Sequence, residues 1–265
     1  MPSYIMEDET EGKRILVKTQ RVTTLEHLKI AGLEKGMHSL DVGCASGKVT
    51  REMAGIVFPA KVIGFDASHK RIIESKKIDS EKGITNIDYI CGDVYSIGFD
   101  DNQFDFVWSR FLFEYLQDPL SALKELKRIT KPGHKVVVAD LDGNGVFHYP
   151  MSKKLSKGIS AVINIIKEKA AFDPYAGRKL YNYFYRVDFK NISVTTLPYH
   201  LIFGKAVSDT YSQWQTKIDI LERNIIKLAP DKYKELKFVF KEMLAHLQKP
   251  DTLTYSTLFI VEGIK

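Results

Sequence analysis

The sequence predicts an α/β fold, a doubly wound and mostly parallel sheet with helical lid insertions. Three observations point to it. Short apolar runs at His38–Val42, Lys61–Phe65, Ile87–Cys91, Phe104–Ser109 and Lys135–Leu141 alternate with helical stretches at Lys48–Ile56, Lys70–Lys82 and Pro119–Thr130. The runs are continuously apolar rather than alternating, as parallel strands covered on both faces require. A glycine-rich turn then carries the first run straight into the first of these helices.

The remaining elements follow in order. Lys13–Ala31 reads as a helix with an apolar stripe through Leu16, Leu25 and Leu28, broken by Gly32 and Gly36. Lys131-Pro132-Gly133 stops the third helical stretch and launches its strand. Beyond Gly145 the pattern changes to helices at Ser152–Ala171, Pro174–Tyr185, Thr210–Leu228 and Lys232–Leu247. Strands at Ile192–Leu201 and Thr252–Ile260 complete the sheet. The late helices are expected to lie over its ligand edge.

At 265 residues the chain can bury one sizeable core with inserted elements. With 44% hydrophobic and 27% charged residues, it has the balance of an ordinary globular protein. The net charge of +6 is spread along the chain and reads as a solvated surface. No apolar run reaches the roughly 18–20 residues that span a bilayer, and the acidic stretch Met1–Glu11 does not read as a signal peptide. Only Cys44 and Cys91 occur, so a reducing, cytoplasmic setting is expected. No His-x3-His or Cys-x2-Cys spacing suggests a metal.

The most informative segment is Leu40-Asp41-Val42-Gly43-Cys44-Ala45-Ser46-Gly47-Lys48. Glycines let a backbone turn tightly and approach a ligand. A dinucleotide fingerprint would need glycine at Ala45 and Lys48. A phosphate loop would need one more residue before the lysine and Ser or Thr in place of Val49. Asp41, at the strand tip, opposes a pyrophosphate on the following helix N-terminus. It suits a ligand that carries an ammonium and a sulfonium and no phosphate, namely S-adenosylmethionine.

Asp66 ends the second strand 23 residues after Gly43, close to the roughly 20-residue spacing of a ribose-binding acid; a helix cap is the plainer reading of an aspartate there. Gly92-Asp93-Val94 follows the third strand. Asp93 can accept from an exocyclic amine and the Val94 N–H can serve a ring nitrogen, or the aspartate simply makes a turn. Ser109 and Arg110, at the end of the fourth strand, could meet an amino-acid carboxylate.

Together the stretches Leu40–Gly47, Val62–Ser68, Cys91–Val94, Phe104–Pro119 and Lys131–Asp140 resemble the class I S-adenosylmethionine-dependent methyltransferases. The likeness is greatest to the group with the ubiquinone and menaquinone biosynthesis enzymes and many small-metabolite enzymes. It runs from about Met37 to Asp142. The resemblance implies a seven-stranded sheet whose last strand, Thr252–Ile260, is antiparallel. It also implies S-adenosylmethionine as methyl donor and S-adenosylhomocysteine as product. Asp41 and Gly43 would hold the methionine end of the cofactor, with Cys44 and Gly47 of the same turn also binding it, and Asp66 would hold the ribose. Ala67 and Arg71 would border the adenine or ribose, Asp93 and Val94 would read adenine, and Ser109 and Arg110 would line the methionine end. Arg71 stands where an apolar residue often packs on adenine; it stacks its guanidinium there or points to water. Arg14, Gln20 or Arg21 could reach in from the N-terminal helix, or face solvent. The expected organisation is one domain over 1–265. Its parts are a helical cover at 13–36, the cofactor core at 37–142, lid insertions at 145–190 and 205–249, and a closing strand at 252–265.

Methyl transfer from a sulfonium is an in-line displacement whose leaving group needs no proton, so these motifs leave the acceptor unnamed. Proximity and orientation alone can supply about 7–11 kcal/mol. A general base is needed only if the nucleophile loses a proton early. His148 and Tyr149 are the first candidates for that role. Glu114, Asp140, Asp142, Arg178, Tyr199 and His200 also sit where the chain leaves the ligand edge. The aromatic run Tyr181–Tyr185 reads as core and lid packing. A small-molecule acceptor is expected, with no nucleic acid or membrane partner. An RNA or protein methyltransferase lacks its usual Pro-Pro-aromatic motif after the fourth strand, which here reads Ser109-Arg110-Phe111-Leu112. A binding protein that keeps the nucleoside without transferring is the third reading.

Overall fold

The computed structural model describes residues 21–265. Its elements are α1 (Arg21–Ile30), β1 (Ser39–Val42), α2 (Lys48–Val57), β2 (Val62–Asp66), α3 (His69–Lys82), β3 (Ile87–Cys91), β4 (Phe104–Arg110), α4 (Pro119–Ile129) and β5 (Thr130–Tyr149). The second half adds α5 (Lys153–Ala170), α6 (Leu180–Arg186), β6 (Lys190–Phe203), α7 (Ser208–Leu228), α8 (Pro230–His246) and β7 (Leu253–Ile264). The seven strands form one sheet in the order β3-β2-β1-β4-β5-β7-β6. All pair in parallel except β7, which is antiparallel to both β5 and β6. The chain reverses its direction across the sheet between β1 and β4, and open α/β sheets bind ligands at that point, beyond the strand C-termini.

Local chemistry places the helices around this sheet. The Ser68 hydroxyl caps α3 and Gly83 closes it in a left-handed conformation. Asp118 caps α4 ahead of Pro119 at the first turn, and Ser152 caps α5. The apolar face of α4 buries Leu123, Leu126 and Ile129 against Leu40, Val107 and Val136 on one side of the sheet. On the other side, Leu28 of α1 and Met53, Ala54 and Val57 of α2 meet Phe106, Trp108 and Val137. A separate apolar cluster joins α5, α7 and α8 through Ile159, Val162, Ile218, Val239 and Phe240.

Two expectations change. Pro174–Tyr185 is not one helix: a short 3-10 turn at Gly177–Lys179 precedes α6. Leu180 and Phe184 join the sheet core with Phe189, so this segment buttresses the sheet instead of covering the ligand edge. The fifth strand runs eight residues beyond Leu141, because β7 pairs with it from Lys135 to Tyr149 across an irregularity at Asp142–Phe147. Residues 145–149 therefore belong to the sheet, and of the first lid segment only the part containing α5 remains a cover. Arg14 and Gln20 lie outside the described residues. No helix among the described residues is long and apolar enough to cross a membrane.

The 3-10 turn sits directly on β5. A Cβ on Gly177 would fall 2.8 Å from the Asp140 carbonyl oxygen and 2.9 Å from the Leu141 carbonyl carbon. Backbone cannot yield there as a side chain can. Gly177→Ala is expected to cost about 1–3 kcal/mol, read as a lower denaturant midpoint with an unchanged slope.

Candidate active site

A cavity of about 690 Å³ opens where β1 and β4 end, and it runs from the turn after β1 to the inner faces of α5, α7 and α8. That volume lies within the roughly 300–1,000 Å³ of ligand pockets. Gly43, Cys44, Asp66, Ala67, Arg71, Asp93, Val94 and Arg110, all anticipated from the sequence, line it.

The turn is held by β2. The N–H groups of Gly43 and Cys44 donate to the Phe65 carbonyl at 2.8 and 3.1 Å, and that of Ala45 donates to Asp66 Oδ2 at 2.8 Å. Asp66 Oδ1 also accepts from the Ser68 N–H at 2.9 Å; the cap of α3 is Ser68 itself, not Asp66, and Asp66 lines the cavity. Asp93 Oδ1 accepts from the Tyr95 N–H at 3.0 Å while the residue faces the cavity. Arg71 is buried and lines the wall, which removes the alternative that it points to water.

Three anticipated residues do not reach the cavity. Asp41 lies buried beneath the turn, where its Oδ2 accepts from Thr50 Oγ1 at 2.6 Å. Burial raises its pKa to about 6, against the opposing pull of the Thr50 hydroxyl and Arg110. It acts on the site through its field. Ser109 is fully buried on the face opposite Arg110, as alternation along β4 dictates, and its hydroxyl has no hydrogen-bond partner among the described residues. Gly47 faces Tyr89, whose hydroxyl lies 2.2 Å from where a Cβ would stand; with φ of 72° at the start of α2, the position requires glycine for both reasons.

The residues proposed for proton chemistry also part company. Tyr149 is exposed and His148 is buried away from the cavity lining. His148 Nδ1 pairs with Thr254 Oγ1 at 2.8 Å and its Nε2 approaches the Gly145 carbonyl at 3.3 Å. Its ring packs against Trp214 and His246. Asp142 is engaged by the guanidinium of Arg178, which also lies over Tyr175. His200 pairs with Ser256, while Tyr199 lines the cavity against Phe111. In the aromatic run, Tyr181 and Tyr185 stack on the surface. No cluster of potential metal ligands occurs among the described residues.

Glu114 does belong to the site, together with two residues that the sequence did not single out. It is buried on the 3-10 turn Phe113–Tyr115, and its Oε2 accepts from Asn144 Nδ2 at 2.7 Å. Asn144 Oδ1 in turn accepts from Lys217 Nζ at 2.6 Å, and all three residues line the cavity. The signal for Asn144 was local: Asp142-Gly143-Asn144-Gly145 interrupts an apolar strand. Gly143 and Gly145 take φ of 76° and 75°, which breaks the pairing with β7 and turns Asn144 to the site. Lys217 had no such signal, since it lies in mid-helix.

Residues 40–138 match the methyltransferase domain family. Over this segment the chain is similar to methyltransferase domains. The segment contains the turn, Asp66, Asp93 and Arg110. An uncharacterized methyltransferase of Schizosaccharomyces pombe is 36% identical over 118 residues, 42% of this chain and 42% of that protein. The demethylmenaquinone methyltransferase of Anoxybacillus flavithermus is 33% identical over 111 residues, 42% of this chain and 47% of that enzyme. The matching segment thus spans less than half the length of these relatives. The phosphoethanolamine N-methyltransferase 2 of Haemonchus contortus, solved with phosphomonomethylethanolamine and S-adenosylhomocysteine, superposes with a TM-score of 0.59 at 17% identity. It covers 92% of this chain and 53% of that one. At that identity the likeness is one of fold. It covers far more of the chain than residues 40–138.

The buried histidine outside the cavity has a consequence for stability. Burial, with His246 beside it, lowers the His148 pKa from 6.5 to about 4. Below about pH 6.5 the unfolded chain takes up a proton that the folded chain refuses, so stability falls as the pH drops from 6.5 through 4. Thermal unfolding across that range should show the decline. His148→Gln, which carries no titrating proton, should make it shallower, and the part that remains belongs to other buried histidines such as His27, whose pKa burial also lowers to about 4.

Proposed function

We propose that this protein transfers a methyl group from S-adenosylmethionine to a small-molecule acceptor. The observation that carries the reading is the two-ended cavity. One end is bounded by the methyltransferase-domain turn, Asp66, Asp93 and Arg110. The other is walled by apolar side chains of α5, α7 and α8.

The first end fits the nucleoside on its own chemistry. Asp66 and Asp93 are acceptors for the hydroxyls of a ribose and the amine of adenine. Arg110, half-buried and within the field of Asp41, offers a cation to the amino-acid carboxylate. Asp41 in turn favours the ligand's ammonium and sulfonium. The Asp41 carboxyl beneath the turn disfavours a pyrophosphate there. When bound, the cofactor supplies an electrophilic methyl group. The chain's own part is to hold that group facing the apolar end and to keep water from it. Walls built from three packed helices suit a small acceptor enclosed in the cavity better than an RNA or a protein chain.

Calorimetry with S-adenosylhomocysteine, NAD and ATP tests the assignment. The expected outcome is binding of the first alone; retention of NAD or ATP in its place would overturn it. Asp66→Ala should weaken S-adenosylhomocysteine binding by about 1.5–3 kcal/mol, roughly 10- to 150-fold. Binding of S-adenosylmethionine should tighten as the pH rises through about 6, where the buried Asp41 carboxyl ionises. Asp41→Asn should remove that rise.

A further inference from the structure

The far end of the cavity is apolar, with Ile159, Val162, Ile166, Ile218, Val239 and Met243 among its walls. Where it meets the cofactor end stands the chain of contacts Glu114–Asn144–Lys217. The amide of Asn144 satisfies both neighbours in one orientation only, with its NH₂ on the carboxylate and its oxygen on the ammonium. The ammonium lies 4.9 Å from the centre of the Trp214 ring. Glu114 is therefore oriented by Asn144, which Lys217 orients in turn.

A second carboxyl lies behind it. Asp140 is fully buried, and its Oδ2 accepts from the Glu114 N–H at 2.9 Å while its Oδ1 accepts from the Leu141 N–H at 2.7 Å. Burial, reinforced by the nearby Glu114 charge, pushes the Asp140 pKa well above the usual carboxylate range. Of the two carboxyls, Glu114 is the one that lines the cavity, with Asp140 buried behind it.

We infer that Glu114 is the proton acceptor for a neutral substrate that presents a hydroxyl group on a largely apolar skeleton. This rests on the methyl-transfer reading above. A neutral amine can attack a methyl group with its lone pair before losing a proton, whereas a hydroxyl must shed its proton as the new bond forms. A fixed carboxylate at the edge of an apolar chamber meets that need. In the step, the hydroxyl proton passes to the Glu114 carboxylate and the oxygen lone pair forms the O–C bond. The C–S bond breaks with its electron pair left on sulfur. A carboxylate and a sulfonium are consumed, and a carboxylic acid and a neutral thioether are formed, so charge is conserved. An anionic acceptor would meet the Glu114 carboxylate and an apolar wall, with the Lys217 ammonium already engaged by Asn144.

Titrating the S-adenosylhomocysteine complex with naphthalene, 2-naphthol and 2-naphthoate tests this without knowledge of the natural acceptor. The expected order places 2-naphthol roughly 10-fold or more tighter than naphthalene, as one hydrogen bond to a charged group gives, with 2-naphthoate weakest. Since 2-naphthol is a photoacid, the bound probe should emit as naphtholate. Glu114→Gln should bring its affinity down to that of naphthalene and its emission back to the neutral form, with S-adenosylhomocysteine affinity unchanged. Asn144→Ala, a second variant in case the first does not fold, should reduce the preference several-fold. Equal binding of 2-naphthol and naphthalene, tighter binding of 2-naphthoate, no binding of any probe, or naphtholate emission that survives Glu114→Gln would each overturn the inference. Failure of wild-type protein to bind S-adenosylhomocysteine would instead bring down the methyl-transfer reading, and this inference with it.

Discussion

Asp66 takes two backbone N–H groups onto one carboxylate, from Ala45 in the turn after β1 and from Ser68 at the start of α3. Charge-assisted bonds of this kind are roughly twice as strong as neutral ones. Here they tie two loops from adjacent parallel strands to the same point, and the rest of the cofactor end takes its shape from that tie. Ala45, at φ of 48°, is held in a conformation that a non-glycine residue seldom adopts. The bond to Asp66 and the two N–H bonds to the Phe65 carbonyl offset that strain. The remaining lone pairs of Asp66 face the cavity, so one side chain both builds the turn and serves the ligand.

The far end is assembled differently. The strands β5 and β7 continue past the parallel part of the sheet and form a long antiparallel ribbon. The helices α5, α7 and α8 pack with one another through an apolar cluster distinct from those flanking the sheet. Part of that cluster also lines the cavity. The substrate chamber is thus a gap in the packing of added helices, while the cofactor end is an edge of the sheet. Sequence likeness to the relatives covers 42% of the chain, while fold likeness covers 92% of it.

Charge is distributed along the same division. Asp41 and Asp140 are buried carboxyls with raised pKa values, one beneath the turn and one beneath the 3-10 turn that bears Glu114. Both sit just below the cavity floor, where burial favours the neutral form and a nearby cation would favour the charged one. Asp41 has Arg110 within range and settles near 6. Asp140 has Glu114 for a neighbour, and its pKa lies well above the usual carboxylate range. The two differ through their surroundings, since both are aspartates near the ends of parallel strands.

The amino-acid sequence by itself determined the succession of strands and helices up to β5, the turn after β1, and the placing of Asp66, Asp93 and Arg110 at the cavity. These follow from local rules: continuous apolar runs, glycines at a bend, and an acid at a strand end. It could not place Asp41, Ser109 or Gly47 relative to the cavity, because which face a residue shows depends on pairing and on what packs beneath it. Tertiary structure alone decided that His148 belongs to the packing around Trp214. It also decided that Asn144 and Lys217, 73 residues apart, meet beside Glu114. Such contacts arise from how three helices settle on a ribbon of strands, and no periodicity or spacing along the chain encodes that distance.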